Sequence, residues 1–148
     1  MKIEKLAVHD LYILTELFEY NNVEQMISEC THDIQSGIID IFVLHDNDVL
    51  IGELHVMYEC DDENYAIRGR RAYMFAFRVR EDFQNKGYGT YLLKTVLTVL
   101  RENGYFEFTV GVEDGNFRAI HMYQALGFNE LLLRKQEEYQ GDAYEYNL

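Results

Sequence analysis

Two glycines, Gly87 and Gly89, stand at the start of a segment with helical spacing of apolar residues, shortly after a predicted strand that ends at Val79. The first turn of a helix carries N–H groups without a partner inside the helix, and they lie at the positive end of the helix dipole. Because glycine has no side chain, a phosphate can approach the backbone there. Lys86 adds a positive charge beside the turn. The segment therefore predicts an anion-binding site.

The spacing of the glycines distinguishes this turn from two common phosphate-binding loops. The sequence lacks the Gly-x-x-x-x-Gly-Lys-Ser/Thr pattern of nucleoside-triphosphate loops. The dinucleotide fingerprint needs a third glycine three residues after Gly89, and this chain has Leu92 there. Taken alone, the two glycines fit an ordinary tight connection as well as a phosphate site.

Two motifs on either side of another predicted strand make the interpretation more specific. The first is Gln84-x-x-Gly87-x-Gly89. The second has the form Asn-x-x-Ala-x-x-x-Tyr-x-x-x-Gly-Phe and consists of Asn116, Ala119, Tyr123, Gly127 and Phe128. In this order, over residues 73–128, the pair resembles the signature of the GNAT superfamily of N-acetyltransferases. Either motif alone would be less specific.

The resemblance implies acetyl-CoA as a cosubstrate and assigns residues to bind it. The pantetheine arm would lie between two splayed strands and hydrogen-bond the backbone near Phe77 and Val79. Asn116 would contact the pantetheine side of the cosubstrate. The pyrophosphate would lie on the amides of one continuous segment, namely Gln84, Asn85, Lys86, Gly87, Tyr88, Gly89 and Thr90.

The resemblance also implies an activity, the transfer of an acetyl group from acetyl-CoA to a primary amine by direct attack. Tyr123 would lie at the thioester sulfur as a general acid, a role typically worth about 10²–10⁴-fold in rate. Backbone N–H groups near Val79 would polarise the carbonyl. No cysteine nucleophile is expected, since Cys30 and Cys60 lie outside the two motifs. As one of 12 tyrosines, Tyr123 would be unremarkable without its motif.

The general base stays open. Some relatives carry a glutamate six residues before the position of Val79, where this chain has Tyr73. Glu53 and Glu113 are the alternatives, although a solvated carboxylate is the expectation for each. The missing glutamate leaves room for a second function, a non-catalytic acyl-CoA-binding sensor or regulatory module on the same fold. A nucleotide-binding domain is a third alternative.

The remaining histidines and arginines suggest no further site. The five histidines lack zinc spacing, so no metal is expected. His121 is expected to be a partly buried structural residue. Arg68, Arg70 and Arg71 form a basic cluster, for which local charge balance is preferred over binding of the 3′-phosphate of CoA.

The elements that must position these residues follow from the hydrophobic spacing. Their order is β-α-α-β-β-β-α-β-α-β-β, which predicts a mixed α/β fold in one domain over residues 1–148. The resemblance implies the acyl-CoA N-acyltransferase (GNAT) fold. The predicted helices cover 10–20, 23–36, 87–103 and 116–126, and the predicted strands cover 2–8, 38–45, 49–58, 73–79, 106–112, 128–134 and 143–147.

Composition limits the partners. The 148 residues carry a net charge of −13, which disfavours nucleic acid. Such a charge would attract a cationic acceptor such as a polyamine, an aminoglycoside-like amine or a peptide amine, but a role in solubility alone is the preferred interpretation, and charge alone does not choose a substrate. No apolar run reaches the roughly 20 residues that span a bilayer, and the N-terminus does not look like a signal peptide. The expectation is a cytoplasmic protein with two free thiols, no membrane partner and possible homodimerisation.

Overall fold

The computed structural model describes residues 1–113, 115–132, 134–139 and 142–147, the last two ranges by their backbone. Five strands form one sheet in the order β1-β2-β3-β4-β5, antiparallel from β1 to β4 and parallel between β4 and β5. A separate antiparallel pair, β6 and β7, follows. The strands are β1 Lys2–Lys5, β2 Ile39–Asp46, β3 Val49–Met57, β4 Arg71–Val79, β5 Glu107–Val110, β6 Arg134–Tyr139 and β7 Asp142–Asn147.

Three α-helices and two 3-10 helices accompany the strands. The helices α1, α2 and α3 are Val23–Gln35, Tyr88–Glu102 and Phe117–Ala125. The 3-10 helices are Val8–Glu16 and Glu81–Phe83. Within the described part of the chain, none of the helices has the length and apolar character needed to cross a membrane. The element order confirms the predicted mixed α/β fold.

Two predicted elements differ from the observed ones. The helix predicted over 10–20 is the 3-10 helix Val8–Glu16, in which the buried Leu11 and Leu14, three residues apart, fall on one side. The strand predicted over 128–134 is misplaced, because 128–132 belongs to no strand and β6 begins only at Arg134. The N–H of Phe128 still bonds the C=O of Tyr123 in a Schellman turn at the end of α3.

Helices cover both faces of the sheet. On one face, α2 packs a stripe of five buried residues against β3 and β4: Leu92, Leu93, Val96, Leu97 and Leu100. The other face carries α1 and the first 3-10 helix, and the buried residues there include Leu11, Leu14, Met26, Ile39, Ile41 and Val43. We call these the α2 face and the α1 face. Side chains of each strand alternate between the two faces.

A β-bulge at Ala76 reverses this alternation in β4. The backbone φ of Ala76 is 48°, and the pairing with β3 shifts by one residue next to Glu53. An inserted residue moves every later side chain to the opposite face. Phe77 and Val79 therefore pack towards α2, whereas Arg78 lies beside Glu53 on the α1 face.

The bulge lies where β4 separates from β5. The range Arg71–Met74 pairs in parallel with Glu107–Val110, and β4 then continues to Val79 beyond the end of β5. The second half of β4 therefore faces a wedge-shaped opening on the side where a further strand would pair. This opening is the centre of the cleft described below.

Replacing Ala76 by valine is expected to destabilise the protein, because a β-branched residue is poorly tolerated at positive φ. Backbone strain of this kind costs about 1–3 kcal/mol, measurable as a lower midpoint of urea unfolding. Ala7→Val is the control, since Ala7 is exposed and has an extended backbone with φ −77°. Equal stability of the two variants would contradict a strained bulge.

Candidate functional site

One cleft of about 1320 Å³ contains residues from both sequence motifs. Its walls are the separated half of β4, the turn before α2, the start of α3 and part of α1. Of the residues predicted to bind a cosubstrate or to act on it, nine line this cleft: Phe77, Val79, Gln84, Asn85, Gly87, Gly89, Thr90, Asn116 and Tyr123. The structure therefore brings the two motifs to one place.

The turn before α2 presents a set of backbone N–H groups. Gly87 is the N-cap with φ 87°, a left-handed conformation that favours glycine. Because glycine has no side chain, the helix has no side-chain cap at this residue. The first intrahelical bond runs from the Tyr91 N–H to the Gly87 C=O at 3.0 Å. The N–H groups of the first turn precede that bond. The Gln84 side chain folds the turn back by donating to the Val79 C=O at 2.9 Å.

Gly89 also has a packing role that the sequence did not indicate. A Cβ at this position would lie 3.3 Å from Phe77 Cζ and 3.4 Å from Val79 Cγ2. Gly89 therefore lets the start of α2 pack directly on the end of β4. The sequence interpretation, in which both glycines give a phosphate access to the backbone, misses this contact because the bulge that turns Phe77 and Val79 towards α2 is not visible in the sequence.

The predicted cation of the turn points elsewhere, and two others line the cleft. Lys86 Nζ donates to the Asp82 C=O at 3.0 Å, and neither Lys86 nor Tyr88 is among the lining residues. Arg118 in the first turn of α3 and Lys94 of α2 do line it. Sequence reasoning missed both, although Arg118 lies inside the second motif.

Arg118 also ties α3 to the turn. Its guanidinium donates to the Asn85 side-chain oxygen, and Asn85 has a left-handed backbone with φ 64°. Asn116 caps α3 by accepting from the Ala119 N–H at 3.2 Å while it lines the cleft. Capping and ligand contact are compatible, as the sequence suggested.

Tyr123 is a buried tyrosine in the lining of the cleft. Its side chain is 8% exposed and meets the edge of Phe128, with ring centroids 5.8 Å apart. Burial raises the pKa of the phenol to about 12. The hydroxyl therefore keeps its proton at neutral pH.

The opposite wall, which we call the α1 side of the cleft, includes Glu29, Cys30, Asp33, His55 and Tyr73. Tyr73 is 9% exposed and stacks on Phe75, with centroids 5.5 Å apart. Its position confirms that no glutamate of β4 occupies this place. His55 on β3 and the two carboxylates of α1 were missed, because only the fold brings β3 and α1 together.

Glu53 is buried, so its prediction as a solvated carboxylate is wrong. It is 0% exposed, and Arg78 donates to its Oε1 at 2.9 Å. Its Oε2 lies 2.8 Å from His55 Nε2. The bulge at Ala76 explains the error, because it places Arg78 on the same face as Glu53. Glu113, by contrast, is exposed and lines the cleft.

Two further expectations concern residues around the cleft. His121, expected to be partly buried, is exposed and lines the cleft. It lies two positions before the buried Tyr123 and hence on nearly the opposite side of α3. The thiols of Cys30 and Cys60 are free, as predicted.

The basic cluster at the start of β4 lies far from the turn. Arg70 and Arg71 contact the Glu107 carboxylate at 2.6 and 2.8 Å, and Arg68 lies 3.7 Å from Glu59. The hydrogen bond from Arg70, then that from Arg71, lowers the pKa of Glu107. Since β4 has nine residues, Arg71 is roughly 26 Å from the other end of the strand. These ion pairs support local charge balance, the preferred interpretation of the cluster.

A family model and curated relatives match the sequence of this chain. The model of the family described as Acetyltransferase (GNAT) family matches residues 7–128. The [ribosomal protein bS18]-alanine N-acetyltransferase of Salmonella typhimurium is 36% identical over 64 residues, which are 43% of this chain and 43% of that relative. The match thus spans less than half the length of the curated relative.

Solved structures share the fold over nearly the whole chain. The ribosomal-protein-alanine N-acetyltransferase from Brucella melitensis superposes with a TM-score of 0.78 at 16% identity, covering 99% of this chain and 96% of that one. The Salmonella typhimurium protein yncA, solved with its cofactor acetyl-CoA, gives a TM-score of 0.73 at 17% identity, with 99% and 90% covered. At these identities the likeness establishes the fold.

The pKa of Cys30 predicts a pH effect on stability. Burial raises the pKa of this thiol from 9.0 to about 11. The unfolded thiol ionises first, so the free energy of unfolding falls as the pH rises from about 9 to 11. Cys30→Ala should lack this contribution. Urea unfolding of both proteins at pH 8 and pH 11 checks it, and an equal loss in both would contradict the shift.

Proposed function

The chain belongs to the acetyltransferase (GNAT) family, as its two motifs predicted, and on this basis we propose that it transfers an acetyl group from acetyl-CoA to a primary amine by direct attack. The observation that carries the proposal is the convergence of three features on one cleft. These are the separated half of β4, the amides at the start of α2 and the buried phenol of Tyr123.

The residues present fit acetyl-CoA. Its pantetheine arm would hydrogen-bond the backbone of β4 near Phe77 and Val79, the part of the strand that extends beyond β5. Its pyrophosphate would lie on the turn, where Gly87 adopts a conformation that favours glycine. Asn116 would contact the pantetheine, and Arg118 and Lys94 would meet the phosphates. The phosphate contacts would involve the backbone amides of the predicted segment 84–90.

Tyr123 is the proposed catalytic acid. When bound, acetyl-CoA supplies a thioester carbonyl carbon that the amine attacks. Tyr123 donates its proton to the departing sulfur, and its raised pKa keeps the phenol protonated until that step. Cys30 lines the cleft but takes no covalent part, because burial raises the pKa of its thiol to about 11.

We propose a cationic acceptor, a primary amine with at least one further positive charge. Glu29 and Asp33 are one helical turn apart on α1 and both line the α1 side of the cleft. Two carboxylates there favour a polyamine, an aminoglycoside-like amine or a basic peptide over a neutral amine. The net charge of −13 acts in the same direction over longer distances.

A thermal-shift titration with acetyl-CoA, CoA, ATP and NAD tests the cosubstrate. A ligand at 100 times its Kd adds about 2.7 kcal/mol of stability, so acetyl-CoA and CoA should raise the melting temperature by several degrees. A larger shift with ATP or NAD would contradict the proposal. Release of CoA thiol with a panel of spermidine, kanamycin and an N-terminal alanine peptide then tests the reaction. Binding without turnover would favour the acyl-CoA sensor.

Removal of the Tyr123 hydroxyl should slow catalysis without preventing cosubstrate binding. Tyr123→Phe keeps the ring that packs on Phe128 but cannot protonate the sulfur. We expect kcat to fall about 10²–10⁴-fold, with an unchanged thermal shift from acetyl-CoA. Tyr91→Phe is the control, because Tyr91 is 46% exposed on α2 and lies outside the cleft lining. A similar kcat in both variants would rule out the acid role.

A further inference from the structure

Glu53 and His55 have no part in the chemistry derived so far, yet both are nearly inaccessible. They are 0% and 5% exposed, and with Thr109 they make up the buried polar residues in the described part of the chain. Burying a carboxylate costs free energy unless it is paired and hydrogen-bonded. Glu53 is paired with Arg78 and His55. Of the two buried residues, His55 also lines the cleft.

The contacts of Glu53 determine how the imidazole is oriented. One carboxylate oxygen accepts from Arg78 at 2.9 Å, and the other lies 2.8 Å from His55 Nε2. A carboxylate only accepts hydrogen bonds, so the ring nitrogen that faces it carries the hydrogen. In the neutral ring, Nδ1 then has a free lone pair. The geometry selects one tautomer, as buried carboxylates do for histidines in other sites.

His55 lies on β3 and lines the α1 side of the cleft. Its Cα is paired with that of Phe75, one residue before the bulge at Ala76. Its ring lies against the Phe75 ring, with centroids 5.2 Å apart. His55 and Tyr123 both line the cleft, from β3 and α3 respectively. The acceptor amine would arrive between these two side chains.

We infer that His55 is the general base that removes a proton from the acceptor ammonium, and that Glu53 is a positioning residue that holds its ring. This inference rests on the proposed function. It supplies the base that the family motif leaves open at Tyr73.

The proton balance is complete without a further reactant. Nδ1 of His55, directly or through one water molecule, takes a proton from R–NH3⁺ and gives the neutral amine. The amine nitrogen then forms a bond to the carbonyl carbon, and the carbon–sulfur bond breaks. Sulfur takes the proton of Tyr123, and Tyr123 takes the second proton of the nitrogen. His55 returns its proton to water, and the products are the amide and CoA thiol.

Several charged and titratable groups share this part of the cleft with His55. Glu53 contacts the His55 ring, and the titratable and charged groups that line this side of the cleft with His55 are Tyr20, Glu29, Cys30, Asp33, Tyr73 and Arg78. The carboxylate of Glu53 lies 2.8 Å from His55 Nε2 and 2.9 Å from Arg78 Nη1. Burial raises the pKa of Cys30 to about 11 and that of Tyr20 to about 12. Neither of these two groups takes up or releases a proton near neutral pH.

The variant His55→Gln tests the inference, because glutamine can still donate to Glu53 but cannot take a proton. With the most active amine of the panel, kcat/KM at pH 7 should fall about 100-fold or more. The deficit should narrow as the pH rises towards the pKa of an alkyl amine, about 10.4, because free amine then needs no base. A deficit that is the same at every pH would show a merely structural role and overturn the inference.

The chain offers a matched control in His45→Gln. His45 Nε2 also lies 2.8 Å from a glutamate oxygen, that of Glu4, but this pair is outside the cleft lining. The control should keep wild-type kcat/KM over the whole pH range. The thermal shift from acetyl-CoA, measured for both variants, shows that they are folded and bind the cosubstrate.

A measurement on the protein alone adds an independent criterion. Two-bond proton–nitrogen correlations of the histidine rings should show hydrogen on Nε2 of His55, and hydrogen on Nδ1 in the neutral ring would overturn the inference. The two proposals fail differently. A wild-type protein that acetylates no amine of the panel overturns the proposed function and this inference with it. An active wild type with an equally active His55→Gln variant overturns this inference alone.

Discussion

The arrangement of the site depends on the bulge at Ala76. The bulge adds one residue to β4 just after the pairing with β5 ends. Odd-numbered side chains of β4 lie on the α1 face before the bulge and on the α2 face after it. Phe77 and Val79 turn towards α2, where Gly89 allows the helix to approach. Arg78 turns the other way and meets Glu53. Without the inserted residue, a guanidinium would point into the apolar contact with α2, and the buried carboxylate would lose its partner.

The polar group on the α1 face shows how a fold can hold charge near a site. Glu53 has two neighbours of possible positive charge, and each uses a different oxygen. The guanidinium of Arg78 also lies over the ring of Phe18, 3.9 Å from its centroid, an arrangement that favours arginine. Residues of several elements therefore fix the Glu53 carboxylate in place. A carboxylate held in this way can keep the neighbouring His55 ring in one orientation.

Much of this architecture was predictable from local patterns, and the exceptions share a cause. Hydrophobic spacing located α1, α2, α3 and the five strands of the main sheet, and the two motifs predicted the family and the meeting of Gly87 with Tyr123 in one cleft. The sequence did not disclose the bulge, since alanine carries no signal for a positive φ. For that reason the burial of Glu53 and the packing contact of Gly89 were not predicted. The roles assigned to the predicted site residues remain predictions.

The short pairing between β4 and β5 has a kinetic consequence. Four parallel residue pairs join β4, the last antiparallel strand, to β5. Forming these pairs requires closing a loop that includes the whole of α2. Such non-local contacts form slowly, since the entropy of loop closure is lost before the contacts exist. A ligand that contacts both β4 and α3 would stabilise the pairing between β4 and β5. The rate at which this pairing opens, and with it the lifetime of the folded chain, would then depend on the concentration of cosubstrate.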